Sequence, residues 1–479
     1  MCELNAMTLV HRAVLCVLCL LIGACQATAP VQREIACPTR PNIVLVFADD
    51  LGYGELGCYG QSKIDTPQID RLAREGARFT QFYSAAPVCA PSRAALMTGL
   101  HLGHCAIRDN SEVQPEGQGP LPADATTLAD DLKRAGYTTA CIGKWGLGFV
   151  GSTGDPNANG FDLFFGFNCQ RQAHNYYPTH LWRNDQKVTL DGNNPATRAE
   201  KIFAPDLMLK EAERFIARSK DRPFFLAYTS TMPHMAMQPT AADVSRYQGR
   251  FDEQPYVGGK GYLPHPTPRA GYAAMITRLD AEVGALREAL EQHGLAQNTL
   301  IIITSDNGPT HDVGGVDTVF FDSTGGLRGR KGSVWEGGLR VPCIAWWPGH
   351  VSASRTVTAP AWTVDLRATF ASIAGVTATD TDGRDLTPLL LLDEAPSSRV
   401  LYWPFPGYGG QEALRDGDWK VVRQQLDAAA KKGVADPPWQ LFDLAHDSNE
   451  QSDVASKHTA LVAQLAARAK QEAAPRNAR

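Results

Sequence analysis

Ile43-Val44-Leu45-Val46-Phe47-Ala48-Asp49-Asp50 is the stretch that decides the fold. Six consecutive apolar residues leave no polar face for solvent. The segment therefore reads as a strand covered on both sides, the habit of a parallel sheet in an α/β protein. It runs without a spacer into two carboxylates. Three further runs repeat the pattern, Thr138 to Ile142, Phe224 to Tyr228 and Leu300 to Thr304. They lead to Lys144, to His234 and to Asp306-Asn307 respectively. In open α/β sheets ligands bind beyond the carboxyl ends of the strands, so the recurrence gathers these polar groups at one edge.

Between the runs lie helical segments. Thr66-Pro67 opens one that stops at Gly76, with cap residue, first-turn proline and terminal glycine in the expected order. Another aligns Met275, Ile276, Leu279, Val283, Leu286 and Leu290 on one stripe before Gly294. Alternating strands and helices predict an α/β fold with a mostly parallel central sheet flanked by helices. The pattern changes near residue 395. Beyond it come short β-like pieces, Val400 to Trp403, Trp419 to Val422 and Trp439 to Phe442, then an Ala-rich helix from Ala460 to Ala473. This predicts a large domain over 38–394 and a smaller C-terminal subdomain over 395–479, an antiparallel sheet plus helix.

Asp49, Asp50, Asp306 and Asn307 offer hard oxygen ligands, suited to Ca²⁺ or Mg²⁺ and poorly matched to zinc or copper. Lys144 and His234 are placed to meet an anion beside such a metal. Each residue alone has a plainer reading, since Asp after a strand often caps the next helix and a lone lysine usually sits in solvent. Their shared position makes one joint site the better reading. Because Asp306 lies beyond its strand, replacing it with Ala is expected to remove a ligand while leaving the core packed.

The net charge of −5 gives no electrostatic reason to expect nucleic acid as a partner. At the N-terminus, Arg12 precedes an apolar run from Ala13 to Ile22 that is too short to span a bilayer comfortably but suits a signal peptide over residues 1–24. Ile22-Gly23-Ala24-Cys25 resembles a bacterial lipobox, which implies an exported periplasmic or outer-membrane lipoprotein held to the membrane by lipid on Cys25. Of the 11 cysteines, Cys2, Cys16 and Cys19 fall in the presumed signal, and the remainder show no CxxC pair and no zinc spacing. Export permits disulfides, but no pairing can be read from the sequence.

Cys89-Ala90-Pro91-Ser92-Arg93-Ala94-Ala95-Leu96-Met97-Thr98-Gly99 begins as a loop and runs into a short helix ended by glycine, which places Cys89 just before a helix N-terminus, where anions are favoured. Alone, such a cysteine is more often a small buried hydrophobe. The whole string, however, resembles the signature of type I sulfatases, Cys-x-Pro-Ser-Arg followed by Thr-Gly. The resemblance extends from Pro41-Asn42-Ile43 to Leu441-Phe442-Asp443-Leu444.

The resemblance implies an alkaline phosphatase-like fold, one Ca²⁺ per chain, and conversion of Cys89 to formylglycine by a maturation enzyme. It assigns Asp49, Asp50, Asp306 and Asn307 to the calcium, with modified Cys89 completing the shell, and Arg93 to steadying the formylglycine. Lys144, His234 and Lys331 (in Gly329-Arg330-Lys331-Gly332) correspond to sulfate-binding residues. Hydrated formylglycine carries two hydroxyls, one to attack sulfur and one to expel sulfate afterwards. One motif departs: where many relatives read Gly-Lys-Trp-His-Leu-Gly, this chain reads Gly143-Lys144-Trp145-Gly146-Leu147-Gly148. The absent histidine contacts the leaving-group side. His174, in Gln172-Ala173-His174-Asn175-Tyr176-Tyr177-Pro178, is either its replacement or a structural member of that loop.

The implied substrate is an aryl sulfate or a sulfated carbohydrate, with galactose or N-acetylgalactosamine sulfate as the expectation from the segment Phe165 to Asn184. A phosphoester or phosphonate hydrolase of the same superfamily, and a catalytically inactive glycan-binding relative, stay open as alternatives.

Overall fold

The computed structural model describes residues 40–475 apart from 196, 198, 199, 260, 395 and 396. The expected signal segment and Cys25 lie outside these residues. Strand β1 (Asn42–Ala48) is buried along its whole length, as an unbroken apolar run requires. With β2 (Ala77–Phe79), β3 (Thr138–Lys144), β4 (Leu163–Phe167), β5 (His180–Arg183), β6 (Gln186–Thr189), β7 (Phe224–Thr229), β8 (Thr299–Ser305), β9 (Cys343–Trp346) and β10 (Arg355–Val357) it forms a ten-stranded sheet. The spatial order is β10-β2-β9-β8-β1-β7-β3-β4-β5-β6. The run β8-β1-β7-β3-β4 is parallel throughout. β9 lies antiparallel on β8, and β5 and β6 extend the other edge antiparallel. The four sequence-predicted runs are thus the four adjacent strands β8, β1, β7 and β3.

Helices cover both faces. Val44, Val46 and Ala48 point into a cluster shared with α1 (Pro67–Glu75), α4 (Ala204–Arg218) and α5 (Pro268–Gln292). On the other face lie α2 (Cys89–Thr98), α3 (Leu128–Arg134) and α6 (Asp365–Ile373). There Phe225 of β7 stacks near Phe370 of α6, ring centroids 6.1 Å apart. The whole predicted stripe of α5 is buried. α1 begins and ends where its proline and glycine predict, but Thr66 does not cap it. Its hydroxyl instead accepts the Gly57 N–H at 2.8 Å, fastening the preceding turn.

The C-terminal sheet comprises β11 (Val400–Phe405), β12 (Gln411–Asp416), β13 (Trp419–Gln424) and β14 (Gln440–Asp443), antiparallel in chain order. α7 (Thr459–Glu472) covers one face with Leu465 and Ala469. The opposite face packs Trp403, Val422 and Phe442 against Tyr83, Val334 and Trp335 of the large lobe. The described residues all belong to one compact unit.

β12 has no counterpart among the expected elements. Gln411-Glu412-Ala413-Leu414-Arg415-Asp416 is too charged to read as a buried strand. Partners from elsewhere make it one: Glu412 accepts from Tyr402 Oη at 2.6 Å and from Arg423 Nε at 2.7 Å, while Arg415 is buried against Tyr83 and Gln81. Among the described residues no helix is long and apolar enough to cross a membrane. Cys58, Cys89, Cys105, Cys141, Cys169 and Cys343 are all free thiols.

Candidate active site

Sheet register builds the site. Ala48 pairs with Ser305, and the Asp306 N–H donates to Ala48 O at 3.1 Å, so the residues just beyond β1 and β8 emerge side by side. Asp50 turns away with φ of 66°, a left-handed conformation that Asp tolerates better than most residues. Its backbone N–H donates to Asp306 Oδ1 at 3.1 Å, and the Leu51 N–H to Ser305 Oγ at 2.9 Å. Asp49, Asp50, Asp306 and Asn307 are fully buried.

The cations converge on these carboxylates. Lys144, the last residue of β3, donates to Asp49 Oδ2 at 2.5 Å. Lys331 arrives from a long loop and lies 2.8 Å from Asp50 Oδ1. Arg93 projects from α2 and reaches Asp306 Oδ2 through Nη2 at 2.9 Å and Nε at 3.2 Å, while its Nη1 donates to Lys144 O at 2.7 Å. α2 begins at Cys89 itself rather than after it, because Val88 takes the extended N-cap conformation. The Cys89 thiol, in the position any modified side chain would occupy, donates to Asp49 Oδ1 at 3.4 Å and accepts from Lys331 Nζ at 3.4 Å.

Two histidines complete the rim. His234 Nε2 lies 3.7 Å from Asp50 Oδ2. Its loop is pinned by Tyr176 Oη, 2.6 Å from both Thr231 O and His234 O. The His174 ring lies over that of His234, centroids 4.5 Å apart. All the sequence-predicted site residues thus come together, with His174 outermost. Tyr176, Ser305 and Asn110, whose Oδ1 accepts the Ala90 N–H at 2.9 Å, were not anticipated. They act on backbone groups, and a backbone partner leaves no mark in a sequence.

Electrostatics follows from burial opposed by pairing. Burial alone would raise the Asp49 carboxyl, yet Lys144, His234, Arg93 and Lys331 hold it well below the usual range. Asp306 goes the other way, pushed up to about 7 by burial and by Asp49, with Arg93 only partly opposing. Burial would lower the Lys331 ammonium, but Asp50, Cys89 and Asp49 raise it well above its ordinary value. Burial pushes the Cys89 thiol up, against Lys144 and Lys331. The unmodified side chain is therefore a protonated thiol at neutral pH, not a thiolate nucleophile.

The donor set fits a hard divalent cation. Asn307 Nδ2 donates to Asp50 Oδ1 at 2.8 Å, leaving Asn307 Oδ1 buried with no hydrogen-bond partner. Asp49, Asp50, Cys89 and His234 each offer an atom, all within 4.8 Å of one another. Asp49, Asp50 and Asp306 face Arg93, Lys144 and Lys331, so acidic and basic side chains are matched in number within the cluster. A dication would add two positive charges and a sulfate monoester one negative charge, so the ester offsets only part of the metal's charge.

Gly146 explains the departing motif. Its φ is +75°, and a Cβ there would lie 2.1 Å from Gln170 Nε2. No side chain, histidine included, fits that position while Gln170 holds its place.

The Sulfatase family model matches residues 41–376. Arylsulfatase A of Homo sapiens is 34% identical over 460 residues, covering 87% of this chain and 83% of its own. N-acetylgalactosamine-6-sulfatase of Homo sapiens is 32% identical, covering 76% of this chain and 69% of its own. The crystal structure of Ps i-CgsB in complex with k-i-k-neocarrahexaose superposes with a TM-score of 0.77 at 30% identity, over 91% of this chain and 93% of that one. The matched residues span β1 to α6, and with them every group of the cluster beyond the sheet edge. The chain belongs to the sulfatase family, within the alkaline phosphatase-like superfamily, and is a sulfuric ester hydrolase.

Proposed function

We propose that the protein removes sulfate from sulfated carbohydrates, using one Ca²⁺ and a formylglycine made from Cys89. The observation that carries this reading is the position of Cys89 Sγ, 3.4 Å from both Asp49 Oδ1 and Lys331 Nζ, above a buried oxygen cluster. Asp49, Asp50, Asp306 and the orphaned Oδ1 of Asn307 would hold the calcium, which when bound polarises the ester oxygens as a Lewis acid. Formylglycine supplies, as its hydrate, a nucleophilic hydroxyl and a second hydroxyl to release sulfate.

The chain's own residues do the rest. Lys144, Lys331 and His234 stabilise charge growing on the sulfate oxygens, in a preorganised and dry site. Arg93, fixed by Asp306 and Lys144 O, keeps the first turn of α2 and hence residue 89 in place. His174 stands at the mouth, as the proton donor to the leaving alcohol. Burial and the neighbouring His234, Lys144 and Lys331 push its imidazole well down, and the negative charge of a bound sulfate ester works in the opposite direction.

Beside His174 opens a cavity of about 330 Å³ lined by Asn175, Tyr177, Glu200, Gln238 and Tyr262. Amides, aromatic rings and a carboxylate suit a sugar better than an apolar aryl group. The same reading makes residues 1–24 an export signal and Cys25 a lipid anchor, with 38–394 catalytic and 395–479 a supporting subdomain. Purified protein incubated with defined sulfated galactose and N-acetylgalactosamine derivatives should release sulfate from at least one. Turnover of 4-nitrophenyl sulfate with none of the sugars would reject the carbohydrate assignment and keep the sulfatase chemistry.

A further inference from the structure

We infer that Gln170, together with Asn168, is a recognition subsite for hydroxyl groups of the leaving-group sugar, an inference that rests on the carbohydrate reading above. Asn168 is 1% exposed and Gln170 7%. The oxygen and the nitrogen of both side-chain amides are buried with no hydrogen-bond partner. An unpaired buried amide is costly, and two adjacent ones with all four polar atoms unpaired call for a partner that arrives from outside.

Their placement says where that partner sits. β4 ends at Phe167, in register with Lys144 at the end of β3. The two chains stay joined beyond the sheet, Trp145 N donating to Phe167 O and Gly146 N to Asn168 O, each at 2.9 Å. Asn168 and Gln170 therefore leave the sheet alongside the sulfate-binding Lys144. The Gln170 backbone N–H is anchored on Gln118 Oε1 at 3.2 Å, and its side chain reaches back over Gly146, filling the space a side chain there would need. Four residues on, the same segment presents His174 over His234. Gln170 thus stands in the segment that leads from Phe167, the register partner of Lys144, to His174, with its amide beside Gly146.

Chemistry selects the ligand. The charged groups of the site already balance one another, and the amides add no charge. An amide both donates and accepts, which matches a neutral hydroxyl and gives nothing special to a second sulfate or a carboxylate. The hydroxyls available are those on ring carbons next to the sulfated one. An aryl sulfate has none, so the subsite separates the two substrate classes.

The test compares Gln170→Met, which keeps length and volume but removes the amide, with wild type on the preferred sulfated sugar and on 4-nitrophenyl sulfate. The expected result is a loss of kcat/KM of roughly tenfold to a hundredfold on the sugar, with the aryl sulfate within about twofold. Inhibition of aryl sulfate turnover by the desulfated sugar should weaken in parallel, a readout that a purely structural role would leave alone. Gln170→Asn, which retracts the amide by one methylene, should show the same selective loss and decides the matter if the Met variant does not fold. Equal losses on both substrates would make Gln170 a packing residue. No loss on either would mean that the amides serve only ordered water. Both results overturn the inference, whereas a wild type that cleaves no sugar sulfate overturns the carbohydrate reading beneath it.

Discussion

Lys331 Nζ lies 3.4 Å from Cys89 Sγ, although 242 residues separate the two in sequence. The same ammonium is 2.8 Å from Asp50 Oδ1, so one cation bridges residue 89 and the carboxylate of Asp50. The pairing depends on a loop that is itself clamped. Lys331 N donates to Pro309 O at 3.0 Å and Gly332 N to Pro87 O at 2.8 Å. Gln411 of β12 donates to Gly332 O at 2.7 Å. The small C-terminal sheet thereby helps to position a residue of the large lobe.

Maturation is the first consequence. A thiol pushed up by burial is a poor nucleophile, so active protein should carry oxygen in place of sulfur at residue 89. Mass spectrometry of the Cys89 peptide checks this. Cys89→Ser, which cannot form the second hydroxyl, should lose multiple turnover by on the order of a thousandfold or more. Full activity from protein bearing only unmodified cysteine would defeat the mechanism.

The metal site separates two kinds of damage. Asn307→Ala removes the orphaned Oδ1 and one donor to Asp50, and should weaken calcium by at least roughly tenfold. Activity titrations after chelation, paired with calcium-dependent shifts in melting temperature, measure it. Asp306→Ala should abolish turnover, and through its partner it should also disturb the interior. It removes the two-pronged partner of the buried Arg93 guanidinium, which keeps Lys144 O and, at 3.6 Å, Asp49 Oδ1, so stability should fall by about 1–3 kcal/mol. An Asp306→Ala protein as stable as wild type would contradict the pairing.

The two histidines should part company on leaving-group ability. A sugar alkoxide needs a proton donor, whereas nitrophenolate leaves without one. His174→Ala should cost on the order of a hundred- to ten-thousand-fold on a sugar sulfate and largely spare an aryl sulfate. His234→Ala should impair both, since His234 Nε2 lies 3.7 Å from Asp50 Oδ2 and in the proposed function stabilises the sulfate oxygens. Parallel losses for His174→Ala would place the acid elsewhere.

A pH effect is expected far from the site. Asp280 on α5 accepts the Ile69 N–H of α1 at 2.7 Å. Burial pushes its carboxyl up from 3.8 to about 7, the Ile69 and Gln68 N–H groups partly opposing. The folded protein then holds a proton that the unfolded chain releases, so this group's contribution is complete below 3.8 and is lost as pH rises through about 7. Asp280→Asn stays neutral throughout. Its stability relative to wild type should improve between pH 5 and pH 8 by on the order of 1 kcal/mol or more. Urea denaturation at the two pH values tests this, and a constant difference would refute the shift.

By itself, the sequence determined the central sheet and the identity of the site. Unbroken apolar runs alternating with helical segments fit strands covered on both faces, and open α/β sheets carry their ligands at the carboxyl edge, so Asp49, Asp50, Lys144, His234, Asp306 and Asn307 were legible as neighbours from local pattern. Cys89, Arg93 and Lys331 were legible through their motifs. The tertiary structure decided the rest, because it depends on partners distant in sequence. β12 is a strand only because Tyr402, Arg423, Tyr83 and Gln81 satisfy its charges. Gly146 is explained only by the Gln170 amide folded over it, and Asp306 meets Arg93 of α2 and the Asp50 N–H only once the chain has folded. Local patterns record what a residue must bury, whereas the pairing of buried polar groups is settled when separate segments meet.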